Sequence, residues 1–441
     1  MATVASRNSF VELPSMKYIH VNEPAVLLAD GRVFVPDSVG SEIFDPQSNT
    51  FTTGPSSVCQ HADCAATLLP DGTVFVVGAS GAQIFDPTSN SSISLSSLGC
   101  HNRHTATVTL LPNGRVLIAG GCKDLRAEVY DPVSHTFSFT GKMVSYRSES
   151  VATLLGDGMV LVTGGRTYDG KILSTCETYD FRSGAFIPVR SMNSKRYGHT
   201  TTLLADGRVL VAGKLPDQKG PSAELFDPKN GTFLATGNMS SARMDHTASP
   251  LASGDVLLTG GFGWRLHSMF RSLVIEDQSS VELYHPSSGR FTRSAPLSIH
   301  RRGHSATLLL DGRVLIAGGS SVRWYQLDES YAYAHAAELY LPKTTGSQRT
   351  VRALFALRSN SGARSGWIFV SGSGFISGDT LLVDGQAQPT TYLSSALLST
   401  PFSGSLSAEN AGVHEIRVRY SVSAQSGVSE PVRLQAPNSL K

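Results

Sequence analysis

Two short apolar runs separated by a turn of the Asp-Gly or Asn-Gly kind recur along the chain, with turn glycines at Gly31, Gly72, Gly114, Gly158, Gly207, Gly254 (Ser-Gly here) and Gly312. "HTTTLLADGRVLVAG" (His199 to Gly213) and "HSATLLLDGRVLIAGG" (His304 to Gly319) are the clearest copies. Each predicts a β-hairpin, because the glycine supplies a positive φ and Thr, Val, Leu and Ile fill the strands. A third strand follows in every copy ("SEIFDP", "AQIFDP", "AEVYDP", "CETYDF", "AELFDP", "VELYHP", "AELYLP"), and most copies add a fourth marked by an aromatic, as in "TFTTG" and "TFSFTGKM". Four strands every roughly 40 to 50 residues predict the blades of a β-propeller and exclude a helical solenoid.

The seventh copy stops after "AELYLP" without a fourth strand, while "SFVELPSM" stands isolated at Ser9. The isolated segment matches the missing one, so the amino-terminal strand is expected to close blade seven and remove an open sheet edge. The expected fold is all-β: a propeller over residues 1–345 and a second unit over 346–441, where "IFVSGSGFISGDTLLVDGQ" and "AGVHEIRVRYSVSAQSGVSEPVRL" alternate as strands of a sandwich do.

The double glycines at Gly120, Gly164, Gly260 and Gly318 resemble the kelch repeat, and the form R-x-x-H-T-A-T-L-L-x-D-G-R-V-L-x-x-G-G is similar to the propeller of galactose oxidase and its relatives. The tail resembles an IPT/TIG immunoglobulin-like domain. The first resemblance implies copper-radical oxidation of alcohols or aldehydes, with two tyrosines, histidines and a tyrosine–cysteine cross-link. Only Tyr18 and Tyr197 lie near first-strand starts; Cys64 would stand in for the cysteine and His414 for a ligand from the tail.

Composition narrows the partners. With 37 Lys and Arg against 35 Asp and Glu, no global charge favours nucleic acid or an anionic membrane. No apolar run approaches the ~20 residues of a membrane span, and the amino terminus lacks a secretory apolar centre. The expectation is a cytoplasmic protein whose five cysteines, odd in number and confined to Cys59–Cys176, are free thiols.

Strand order puts the approach to each first strand and the loop after each double glycine on one face. The long loops at Phe262 to Ser280 and Ser320 to Ala336 put Trp264, Trp324 and Tyr325 there, as a wall for a small organic ligand. Just before each first strand, a ring of repeat-equivalent residues reads His20, His61, His101, Arg147, Arg196, Arg243 and Arg301. Three contiguous histidines, with Glu23, Asp63 or Cys64 beside them, offer acid–base catalysis or ligands for a divalent transition metal. The four arginines would hold negative charge on the ligand. His199, His246 and His304, which start first strands, read as structural. These features favour a non-oxidative isomerase, cyclase or lyase, place a protein-interaction module second, and rank copper-radical oxidation below both.

Overall fold

The computed structural model describes residues 8–435, apart from 38, 60–63, 97, 101–104, 124, 215–221, 268–271, 322–331, 334, 344–349 and the connections between the strands that follow 358. Seven four-stranded antiparallel sheets form a ring of blades, the first six taking their strands in chain order from the centre outwards. Blade one comprises Val26–Leu27, Val33–Val35, Glu42–Asp45 and Thr50–Thr53; blade four comprises Val151–Leu154, Val160–Thr163, Cys176–Asp180 and Ala185–Val189.

Blade seven is composite. Ser9–Glu12 pairs antiparallel with Ala337–Leu341, Ser9 opposite Leu341 and Glu12 opposite Glu338, so the amino-terminal strand closes the ring as expected. The aromatic markers explain the outer strands. Third- and fourth-strand rings meet at 4.8–5.2 Å in six blades, for example Phe226 with Phe233 and Phe10 with Tyr340. Second strands are buried on both faces, as Val209–Ala212 is, and each gap between blades holds one apolar cluster. Removing such a sheet pair from water at ~25 cal/mol per Å² is what holds neighbouring blades together.

The tail's strands form a four-stranded sheet, containing Thr350–Arg358 and Ser365–Ser373, and a five-stranded sheet built around Val413–Val422. Among the described residues, no helix is long and apolar enough to cross a membrane.

The expected free thiols are corrected. Cys59 is bonded to Cys64 and Cys100 to Cys122, leaving only Cys176 as a thiol, buried between blades four and five. An odd count is compatible with disulfides when the unpaired cysteine serves as core packing.

Candidate metal centre

Blades four to seven use the ring position identically. Arg147, Arg196, Arg243 and Arg301 are at most 1% exposed. Each reaches a third-strand glutamate of its own blade: Glu177 at 2.7 Å, Glu224 at 2.6 Å, Glu282 at 2.8 Å and Glu338 at 3.0 Å. Each Nη1 also donates to the carbonyl ending the second strand, at Gly164, Gly213, Gly260 or Gly318. The glutamates accept in addition from the amides of Val144, Asn193, Ser240 and Ser298, which lie in the approach loops. Burial pulls the Arg196, Arg243 and Arg301 pKa values down, opposed by the paired carboxylates. Instead of facing an anionic ligand, each guanidinium staples the approach loop to its blade.

The ring residue's backbone makes a second link. The amides of Gly165, Gly261 and Gly319 donate to the carbonyls of Arg196, Arg301 and His20 in the following blade. A Cβ at Gly318 would strike the His20 carbonyl oxygen, so the double glycine is a requirement of this close approach.

His199, His246 and His304 bridge blades. Their Nε2 atoms lie 2.8 Å from Thr163, 3.1 Å from Thr200 and 2.8 Å from Thr259, all in the preceding blade. Burial, reinforced by Arg196 and Arg301, drives the His199 and His304 pKa values down to about 3; His246 is also lowered. These imidazoles are neutral when folded, whereas the unfolded chain takes up protons below about pH 6.5. Their contribution to stability is therefore full above pH 6.5 and is lost as pH falls towards 3. Melting temperature should drop progressively from pH 6.5 to 4, and more shallowly in His304→Gln. Parallel profiles for the two proteins would refute the assignment.

Blade one departs from this scheme at three repeat positions. His20 replaces the ring arginine. Glu23 stands where blades five to seven start with histidine. Aligning "RVFVPDS" with "RVLIAGG" puts Asp37 at the first glycine of the double-glycine pair. The fold gathers all three. His20 Nδ1 is 2.7 Å from Glu23 Oε2 and 3.9 Å from Asp37 Oδ2, while Nε2 is 2.9 Å from Glu42 Oε2, the glutamate that blades four to seven pair with arginine. His20, Glu23 and Asp37 each offer one donor atom, all within 4.8 Å of one another. Exposures of 2%, 9% and 6% place the group below the surface.

The electrostatics follow from burial. Desolvation pulls the His20 pKa down, but the Glu23 and Glu42 carboxylates outweigh it and raise it to about 9. Desolvation and Asp37 lift Glu23 to about 8, with His20 opposing. Burial also pushes Glu42 upwards, yet His20 and the Lys17 and Tyr18 amides overcome this and hold it low. The cluster holds surplus protons near neutrality that a cation would displace.

Asp37 and Glu42 were not among the sequence candidates, although the repeat alignment contains the signal for both. His61, His101, Trp324 and Tyr325 lie outside the described residues, as do the side chains of Trp264 and His414; these two occupy strands, opposite Ile275 and Leu434. The described aromatic surface near the ring is different: Tyr168, 70% exposed, meets Tyr146 edge-on at 6.0 Å and Lys123 Nζ at 3.2 Å from its hydroxyl.

No protein-family model matches this sequence, and no curated protein matches it. Among solved structures, a fungal alcohol oxidase of the AA5 family, in complex with copper, matches with 15% identity and a TM-score of 0.62 over 98% of this chain and 100% of that one. A second structure, YjhT, has 12% identity and a TM-score of 0.45 over 74% of this chain and 95% of its own. The chain is a seven-bladed propeller sharing the fold of a copper-containing oxidase. That likeness and the His/Glu/Asp donor set overturn the preference for isomerase, cyclase or lyase chemistry and the low rank given to copper oxidation.

Proposed function

We propose that the protein is a metal-dependent oxidase-type propeller. A divalent transition metal, copper first, is held by His20, Glu23 and Asp37, and a small alcohol or aldehyde is the substrate class. One observation carries the reading: three separate departures from the repeat, each introducing a metal donor, converge in a single blade. The fold likeness supports the class of chemistry.

Imidazole nitrogen and carboxylate oxygen suit Cu(II), which also heads the affinity order of first-row divalent ions. When bound, such an ion supplies a one-electron acceptor and a Lewis acid. The chain's own residues orient the donors. His20 places Nε2 against Glu42 and turns Nδ1 towards Glu23 and Asp37, so a proton kept on Nε2 by Glu42 would leave Nδ1 to the metal. The tyrosine–cysteine radical cofactor of the resembled family does not fit. Four cysteines are bonded in pairs, and Cys176 is buried in the apolar cluster between blades four and five, which contains no tyrosine. No radical step is assigned.

Three further readings belong to this proposal. Tyr146, Tyr168 and Lys123 supply contact surface for an organic substrate. The two disulfides favour an oxidising compartment over the cytoplasm. The tail is a domain of the IPT/TIG kind, supported by its two antiparallel sheets.

Elemental analysis and copper titration followed by electron paramagnetic resonance test the centre. The parent should bind one equivalent, His20→Ala should lose it, and Glu42→Gln should bind about 10- to 100-fold more weakly. Oxygen consumption with a panel of alcohols and aldehydes tests the chemistry. Undiminished copper affinity in His20→Ala would remove the cluster from the function.

A further inference from the structure

We infer that the Cys59–Cys64 disulfide positions Asp37 within the donor cluster, which puts metal binding under thiol–disulfide control; this rests on the metal reading above. The link is short. The Ser57 amide donates to the Asp37 carbonyl at 2.9 Å. Ser57 Oγ donates to Cys59 Sγ at 3.4 Å and accepts from Gln83 Nε2 at 3.0 Å. Cys59, 1% exposed, packs with Val26 and Phe34, whose strands lead out of Glu23 and into Asp37.

The disulfide stands where blade two departs from the repeat. Blade two has histidine at its ring position and Gln83 where the other blades carry the stapling glutamate, so it has no arginine–glutamate staple. Blade three, also with a ring histidine, has Cys100–Cys122 between its approach loop and the loop after its double glycine. Those are the two segments that Arg147 joins through Gly164 in blade four. Cys100–Cys122 thus links in blade three the segments that an arginine links in blade four, while Cys59–Cys64 closes a loop within the approach segment of blade two. Ionic staples are indifferent to redox conditions; disulfides are not.

Reduction by a dithiol balances simply. A reductant thiolate attacks the half-buried Cys64 Sγ, the Sγ–Sγ bond breaks, and Cys59 leaves as a thiolate that takes up a proton. The reductant's second thiol then displaces Cys64 as its thiol. Two electrons pass to the cysteine pair, and the dithiol becomes a disulfide. Ser57 loses its fixed sulfur partner, and the Asp37 carbonyl loses a rigid donor.

The test uses Mn²⁺ on the full chain, because this ion favours oxygen donors over the thiols that reduction releases. Oxidised protein should bind Mn²⁺ at least tenfold more tightly than protein reduced with dithiothreitol or the Cys59→Ser/Cys64→Ser variant. Cys100→Ser/Cys122→Ser should stay within about twofold of the parent. Hydrogen exchange provides an arm independent of metal: reduction should expose the Ser57 amide while Val209–Ala212 in blade five stays protected. His20-dependent Mn²⁺ affinity that ignores reduction overturns the inference, as does an equal loss in the Cys100/Cys122 variant or unchanged protection at Ser57. Binding indifferent to His20→Ala indicts the metal reading instead, and the exchange arm then decides the disulfide's role.

Discussion

Arg301→Ala is expected to destabilise the propeller by about 3–5 kcal/mol, because it leaves Glu338 as an uncompensated buried charge. Both partners have fully buried side chains, and the guanidinium satisfies the Gly318 and Ala336 carbonyls as well as the carboxylate. Glu338→Ala should cost a similar amount for the mirror-image reason. The double change Arg301→Met with Glu338→Leu should recover much of the loss, since apolar replacements of similar volume leave no charge stranded. Urea unfolding of the three variants is the measurement. Arg208→Ala is the control: Arg208 pairs with Asp206 in partly exposed surroundings, where such bridges are worth about 1 kcal/mol or less. An Arg301→Ala protein as stable as Arg208→Ala would show that the staple is ornamental.

Metal affinity at the blade-one cluster should rise about 10- to 100-fold per pH unit up to about pH 8, then level off as pH passes 9. The sign follows from the raised pKa values of His20, about 9, and Glu23, about 8. Below pH 8 the metal-free cluster retains protons that a cation must expel, so acid competes with metal. Above pH 9 both donors are already free. Isothermal titration with Mn²⁺ across pH 6–9 in several buffers reports affinity and protons released together. A flat profile with no proton release would mean that His20 and Glu23 are not the donors.

The propeller was legible because its instructions repeat. Turn glycines, strand alternation and outer aromatics give blade count, strand order and closure by Ser9–Glu12 without reference to distant contacts. Chemistry was harder to read, since a ring position says where a residue sits but not which partner its side chain meets. The repeat marks His20 as a departure from arginine, yet it leaves the arginines looking like ligands for an anion. Their true partners, Glu177, Glu224, Glu282 and Glu338, lie 28 to 39 residues downstream, on third strands. The same alignment at the third strand contained that answer, with Glu42 in blade one and Gln83 in blade two. Asp37 is inconspicuous in the sequence because it occupies the place where a glycine doublet is missing. Cysteine pairing depended on loop proximity in blades two and three, which spacing along the chain does not express.

The seam of the ring has a consequence for biosynthesis. The Lys343 amide bonds to the Asn8 side chain, 335 residues away, within composite blade seven, and the Gly319 amide of that blade bonds to the His20 carbonyl of blade one. Blade one is thus the earliest blade to be synthesised, packing first against blade two and gaining its other neighbour, blade seven, last. A nascent chain that has emerged only as far as blade six holds His20, Glu23 and Asp37 on an unsupported flank, and loop-closure entropy delays their final arrangement until the circle is complete. The flank that carries the donor cluster therefore gains its last neighbour only when the ring closes, so an ion held there would be captured in its final geometry at the end of folding.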